Sequence, residues 1–127
     1  MIRVQEEDFD TGAELARFAD GDHNVGGVCV FVGRVRGDED GTKVSAMTLE
    51  HYPEMTARAL QAVEDEANRR WPLCASLIIH RHGRLQPGDN IVLVATASPH
   101  RKAAFEACEF LIDWLKTKAP FWKLEET

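Results

Sequence analysis

Lysines and aromatic rings lie close together near the end of the sequence, in LKTKAPFWK at positions 115 to 123. A lysine becomes a useful nucleophile or proton shuttle when its pKa falls, and both desolvation and a neighbouring cation lower that pKa. Phe121 and Trp122 could desolvate the amines of Lys116 and Lys123, and each lysine could act as the cation beside the other. The alternative interpretation is that lysines at a helix C-terminus simply complement the helix dipole.

The segment SPHRK at positions 98 to 102 is a candidate anion site. If Ser98 caps a helix, His100 and Arg101 lie in its first turn, where free backbone N–H groups already favour an anion. The guanidinium of Arg101 adds a two-pronged donor that suits phosphate. The alternative is that these basic side chains are merely solvated, although cations at a helix N-terminus are locally unfavourable.

Two weaker signals lie elsewhere in the chain. Arg34 and Arg36 alternate, so in an extended segment they point the same way and could clamp an anion, or they could pair with nearby carboxylates. His80 and His82 share one face of a predicted strand, but no third ligand is evident, so we expect no metal. His51 is interpreted as a packed, structural residue.

Composition limits the class of protein. The chain has 127 residues and a net charge of -6, which suits one domain over residues 1–127 and argues against general nucleic-acid binding. Three widely spaced cysteines in apolar surroundings are typical of reduced, buried thiols. No signal peptide or membrane span is evident, so we expect a cytoplasmic protein.

The elements that must position these residues alternate between strand pairs and helices, which favours an α+β fold with a mostly antiparallel sheet. Pro53 and Pro99 are typical of first helical residues, and Pro120 ends the last helix. Pro87-Gly88 predicts a type II turn. The predicted elements are helix 11–19 capped by Asp10, strand 26–33, loop 34–43, strand 44–52, a helix from 53 to 71, strand 73–85, strand 90–98 and a last helix that begins at 99 and cannot continue past Pro120.

Several blocks then resemble one known family when they are taken together and in order. These blocks are FVGRVRG, MTLEHYPEMT, RRWPL, IIHRHGRLQPGD and ASPHRKAAFEACEFLIDWLKTKAPFWK. The chain is similar, from about residue 25 to 123, to the large catalytic subunit of molybdopterin synthase, the MoaE family. The resemblance implies a fold of the α/β hammerhead type.

The resemblance also implies a reaction and its partners. Family members transfer sulfur to cyclic pyranopterin monophosphate and so form the dithiolene of molybdopterin. The sulfur arrives as a thiocarboxylate on the C-terminal Gly-Gly of a small ubiquitin-like subunit, whose tail enters a pocket. Two large subunits form a homodimer within a heterotetramer. The sulfur transfer itself requires neither a metal nor an organic cofactor.

Carried over position by position, the resemblance places the catalytic lysines at Lys116 and Lys123. It places substrate-binding residues at Arg36, His100 and Arg101, and an aromatic wall at Phe31. Many family members have a longer basic C-terminal tail, so here we expect any substrate contact made by that tail to be missing or to come from elsewhere.

Helix geometry gives a separate expectation about the dimer. A helix rises about 1.5 Å per residue, so Arg101 and Lys116 on one helix lie roughly 22 Å apart. Side chains cannot close that distance over a small pterin. A single site that uses both residues must therefore take them from different chains.

Two other functions remain open on the residues alone. A lysine-dependent lyase or acyl-transfer enzyme would use Lys116 as a Schiff base. A non-catalytic dimeric module would bind phosphate or a peptide and turn nothing over.

Overall fold

The computed structural model describes residues 1–127, apart from the side chain of residue 39. Its α+β architecture confirms the predicted fold class. The helices are α1 (Thr11–Arg17), α2 (Pro53–Arg70) and α3 (Arg101–Thr117). The strands are β1 (Ile2–Gln5), β2 (Gly27–Arg34), β3 (Asp38–Glu39), β4 (Thr42–Lys43), β5 (Ala46–His51), β6 (Ala75–Arg81), β7 (Gly83–Leu85), β8 (Asn90–Ser98) and β9 (Phe121–Glu126).

The main sheet has the strand order β1-β6-β8-β2, in which only the β1–β6 pair is parallel. The predicted pairing of β6 with β8 is confirmed, with Ala75 opposite Ala97 and His80 opposite Val92. A second sheet has the order β7-β5-β9 and is antiparallel throughout. Strands β3 and β4 form a separate hairpin.

Strand β8 divides the core into two layers because successive side chains point to opposite faces of a sheet. Val92 and Val94 pack on the α3 side, whereas Leu93 and Ala95 pack with Phe9 on the other side. Helix α3 lies on the first layer through fully buried side chains such as that of Leu111. Truncating a buried leucine of this kind to alanine typically costs about 2–5 kcal/mol of stability.

The ends of two helices agree with the sequence, whereas one predicted cap is wrong. Asp10 caps α1 by accepting a hydrogen bond from the backbone N–H of Ala13 at 3.0 Å, and α2 begins at Pro53. Ser98 was the predicted cap of the last helix, but that cap is His100, and Ser98 is instead the final residue of β8. The hydroxyl of Ser98 still accepts a bond from the His100 N–H at 3.3 Å.

Strand boundaries differ from the prediction where the chain changes sheets. The predicted strand 73–85 is two strands, because Gly83 has a φ of 91° that turns the chain from the main sheet into the second sheet. The predicted loop 34–43 contains the β3–β4 hairpin. The terminal strands β1 and β9 were not predicted at all. The turn at Pro87-Gly88 is confirmed by the bond from Asp89 N–H to the Gln86 carbonyl and by a φ of 90° at Gly88.

A close backbone contact fixes the start of α3 beside the start of β2. A Cβ added at Gly26 would lie 2.1 Å from the carbonyl oxygen of Pro99, so only glycine fits there. The neighbouring Gly27 lies against Arg101, where an added Cβ would be 3.3 Å from its Cα. The opposite end of α3 therefore extends along the sheet toward the end of β2.

Across the described chain, no helix is both long enough and apolar enough to span a membrane.

Candidate functional site

A cavity of about 540 Å³ opens where the C-terminal end of α3 meets the end of β2 and the inner face of β9. Lys116 comes from α3, Arg34 ends β2, Arg36 follows it, and Lys123 comes from β9. Among the lining residues that the structure describes, these four cations face one carboxylate, that of Glu125. Such an excess of positive groups in a concave site favours an anionic ligand.

A second cavity of about 320 Å³ adjoins the first and shares several of its lining residues, among them Arg36, His80 and Lys116. Phe31 of β2 forms part of its wall. The ammonium of Lys116 lies 6.0 Å from the centre of the Phe31 ring, at the outer limit of a cation–π contact. The two cavities form one cleft with an apolar recess, which we call the cationic cleft.

The alternation of β9 decides which of its side chains reach the cationic cleft. Phe121, Lys123 and Glu125 line the cleft. Trp122 lies on the other face, where its ring packs against that of Tyr52 at a centroid distance of 5.3 Å. The expectation that both aromatic rings enclose the lysines is therefore wrong for Trp122, because neighbouring residues of a strand point to opposite sides.

The amines of the two lysines have different surroundings. Lys123 Nζ lies 3.0 Å from the carboxylate of Glu125 two residues later on the same strand face. Lys116 remains exposed in the single chain. The predicted partial dehydration of both amines is thus not a property of one isolated chain.

A stack of rings supports the wall of the cationic cleft behind Phe121. His80 of β6 stacks on Phe121 with ring centres 3.9 Å apart and planes inclined by 12°. His51 contacts the other rings, with its centre 5.2 Å from that of Phe121 and 4.6 Å from that of His82. The sequence marked His80 and His82 as a possible metal pair, yet the residues that the structure describes include no group of three or more His, Cys, Asp or Glu that could hold a metal ion.

Burial controls the protonation of these histidines. The pKa of His80 is lowered to about 4, mainly by burial and to a smaller extent by the nearby rings of His51 and His82, against a backbone hydrogen bond to Arg81 that raises it. Burial also lowers the pKa of His51 below its ordinary value, with a smaller contribution from His82. His80 is therefore neutral at physiological pH.

His100 and Arg101 do not lie near the cationic cleft of their own chain. They are at the N-terminal end of α3, and Lys116 is in its last turn. Both side chains are exposed, and neither lines either cavity. The structure thus brings Arg36, Lys116, Lys123 and Phe31 together and leaves His100 and Arg101 at the far end of the helix.

Sequence reasoning missed that His80, Thr117 and Glu125 line the cationic cleft. His80 was considered only as half of a metal pair, although its position at the end of an apolar run could have indicated a buried role. Glu125 was missed because residues 121–126 were not predicted as a strand. An alternating reading of FWKLEE would have placed Glu125 on the same face as Lys123.

Sequence comparison places the chain among proteins of one kind. A family model described as MoaE protein matches residues 4–118. The molybdopterin synthase catalytic subunit of Ralstonia nicotianae is 56% identical over 126 residues, which cover 99% of this chain and 72% of that protein.

Solved structures give the same result. The molybdopterin biosynthesis MoaE protein from Burkholderia ambifaria MC40-6 superposes with a TM-score of 0.89 at 50% identity, covering all of this chain and 83% of that chain. A chain in the protein–protein complex of subunits 1 and 2 of molybdopterin-converting factor from Helicobacter pylori 26695 superposes with a TM-score of 0.81 at 25% identity. That match covers 98% of this chain and 83% of the other.

Proposed function

This chain belongs to the MoaE protein family, and we infer its function from that membership. It is a sulfur-transferring enzyme of molybdenum cofactor biosynthesis and acts as the catalytic subunit of molybdopterin synthase. The reaction moves sulfur from the C-terminal thiocarboxylate of a small ubiquitin-like partner to cyclic pyranopterin monophosphate, which becomes the dithiolene. The observation that carries this function is the cationic cleft, where two amines and two guanidinium groups surround a space large enough for a small phosphorylated heterocycle.

The residues of the cationic cleft have different roles, which follow from the chemistry of each side chain. Arg36 binds the phosphate, because a guanidinium presents a planar fork of donors to phosphate oxygens. Lys116 acts on the sulfur-transfer intermediate, as an acid–base group or as a covalent partner. Lys123 binds substrate or stabilises the charge that develops during transfer, and its position is supported by the 3.0 Å contact with Glu125. Phe31 forms the apolar wall.

His100 and Arg101 serve the cationic cleft of a second copy. Support comes from their position at one end of a continuous helix whose other end carries Lys116, roughly 22 Å away. A homodimer that places the N-terminus of one α3 against the cationic cleft of the other chain would complete the set of basic groups. Each completed site would then contain residues from both chains.

The small partner subunit delivers the sulfur. A solved complex of the two subunits of molybdopterin-converting factor from Helicobacter pylori contains a chain with this fold, which supports such an assembly here. We place the protein in the cytoplasm because all three cysteines have free thiols, as in proteins of a reducing compartment.

The test is an in vitro assay with thiocarboxylated small subunit and cyclic pyranopterin monophosphate, scored for the dithiolene product. We expect Lys116→Ala to lower the rate by about 10²-fold or more, the usual effect of removing an acid–base or charge-stabilising group. Lys118→Ala is the matched control, because Lys118 is also exposed near the end of α3 but does not line the cationic cleft. A wild-type rate for Lys116→Ala would refute its assignment, and absence of product with the wild-type chain would refute the function.

A further inference from the structure

The hydrogen bond of His80 determines which of its ring nitrogens carries the proton. Nδ1 lies 2.8 Å from the backbone carbonyl oxygen of Arg81. A carbonyl oxygen can only accept, so Nδ1 must donate and therefore bears the hydrogen. In the neutral ring the other nitrogen, Nε2, then has a free lone pair and is an acceptor.

This acceptor opens into the cationic cleft. His80 is only 7% exposed and lines both cavities. Within the described residues, the only side-chain nitrogen or oxygen that is both sealed from solvent and without a hydrogen-bond partner is Nε of Arg3. Nε2 of His80 also has no hydrogen-bond partner among the described residues, yet it is not one of the atoms sealed from solvent. It must therefore be accessible to solvent, and the cleft provides that access.

Neutral side-chain acceptors are few among the described residues that line this cleft: besides His80 there is the hydroxyl of Thr117, which donates its hydrogen to the Asp113 carbonyl at 2.8 Å. The arginine and lysine side chains that surround the cleft have only donors to offer. The carboxylate of Glu125 is an acceptor, but it lies against Lys123. The cations therefore suit the phosphate of the substrate, whereas a fused nitrogen heterocycle also presents N–H groups that need an acceptor.

We propose that His80 is a specificity-determining residue whose Nε2 accepts a hydrogen bond from an N–H group of the bound heterocycle. The proposal rests on the proposed function for the identity of the ligand, and it adds how the ring, rather than the phosphate, is recognised. The stack against Phe121 fixes the plane of the imidazole, and the bond to the Arg81 carbonyl fixes its tautomer. A site that satisfies a substrate N–H rejects an analogue that lacks it, because the buried acceptor is then left unpaired.

The acceptor is available at every pH at which the protein is expected to work. Burial disfavours the imidazolium, so Nε2 loses its lone pair only in acid, near the pKa of about 4. Nearby cations, like burial, disfavour protonation of His80, whereas a nearby carboxylate favours it. The charged and titratable groups that act on His80 or line the cleft with it are His51 of β5, Arg81 at the end of β6 and His82 after it, Arg34 at the end of β2 and Arg36 after it, Lys116 of α3, and Lys123 and Glu125 of β9.

Two binding probes separate recognition of the ring from recognition of the phosphate. Calorimetry would compare cyclic pyranopterin monophosphate with inorganic phosphate on the wild-type dimer and on two variants. We expect His80→Phe, which keeps an aromatic ring against Phe121, to bind the pterin about 10- to 100-fold more weakly while its phosphate affinity stays within about 3-fold. His80→Gln should recover part of the loss, because its carboxamide oxygen can accept a hydrogen bond.

Unchanged pterin affinity in His80→Phe, or an equal loss for both probes, would overturn the proposal and leave His80 a structural residue. A measurement on the wild-type chain makes the test independent of how the variants fold. The ¹⁵N resonance of Nε2 should be that of an unprotonated nitrogen at pH 7 and should shift on addition of the pterin but not of inorganic phosphate. A protonated Nε2, or a shift with neither probe, would refute the proposal, whereas a wild-type dimer that binds no pterin would refute the proposed function itself.

Discussion

Mild acid is expected to destabilise the fold through His80. Burial lowers the pKa of this histidine from 6.5 to about 4. Between these two values the unfolded chain binds a proton that the folded chain does not, so the free energy of unfolding falls as the pH falls. The contribution is fully present above pH 6.5 and is lost progressively as the pH decreases toward 4.

The size of the effect follows from the two pKa values. Each pKa unit corresponds to about 1.4 kcal/mol, so the full loss below pH 4 is about 3 kcal/mol and the loss at pH 5 is about 2 kcal/mol. Solvent screens this effect little, because His80 is only 7% exposed. His51 adds to the loss in the same direction, since burial lowers its pKa as well. Carboxylates such as those of Asp8 and Glu14, whose pKa values are lowered, lose their contribution mainly at lower pH.

Urea denaturation at pH 8 and pH 5 measures this prediction directly. The His80→Phe variant lacks the titrating group, so we expect it to lose about 2 kcal/mol less than the wild type between the two pH values. Replacing the exposed His23 with Asn is the control, because it removes a histidine that is not buried. If His80→Phe and the wild type lost stability equally, the argument from burial would be refuted.

Three further predictions concern the ends of α3 and its core. Mixing an Arg101→Ala chain with a Lys116→Ala chain should restore part of the sulfur-transfer activity, because a heterodimer contains one intact shared site. No recovery of activity in confirmed heterodimers would exclude a site shared between the two chains. Gly26→Ala should cost at least about 2 kcal/mol in thermal or urea unfolding, because its Cβ would lie 2.1 Å from the Pro99 carbonyl oxygen, and a loss below about 0.5 kcal/mol would contradict that geometry. Burial raises the pKa of the Cys108 thiol to about 12, so iodoacetamide at pH 8 should label Cys108 only after denaturation, as mass spectrometry would show.

The helices were predictable because their ends carry local signals. The Asp10 side chain and the ring of Pro53 act within a turn of the residues they precede, so these signals need no tertiary information. Ser98 carried the same type of signal, yet its hydroxyl donates to the distant carbonyl of Pro72 at 3.0 Å. Strand β8 continues through Ser98, so Ser98 cannot also cap the helix. The helix therefore starts two residues later than the sequence indicates.

The missed strands depend on partners far away in the sequence. Residues 121–126 are mostly exposed and contain three charged side chains, so they have no strong strand signal of their own. They become β9 by pairing with β5, as in the pair of Phe121 with His51. Strand β1 likewise forms by parallel pairing with β6, and a parallel neighbour cannot be recognised from local turns.

The candidate site shows the same division between local and distant causes. Lys116, Lys123 and Arg36 could be selected from residue type and resemblance, and the structure gathers them around one cleft. The role of His80 could not be selected in this way. Its tautomer depends on a hydrogen bond, and its neutrality depends on burial beneath Phe121. Both are properties of the folded chain rather than of the sequence pattern.

The register of β9 against β5 determines the charge of the cationic cleft. A slip of one residue would turn Lys123 away and point Trp122 inward, because alternate residues face opposite sides. Several contacts outside the cleft oppose such a slip. The Glu126 carboxylate pairs with Arg84 at 2.9 Å, and the Glu126 carbonyl accepts from the Ser45 N–H at 2.8 Å. The ring of Trp122 packs on Tyr52 only in the observed register, so the aromatic residue that fails to reach the amines still holds Lys123 in place.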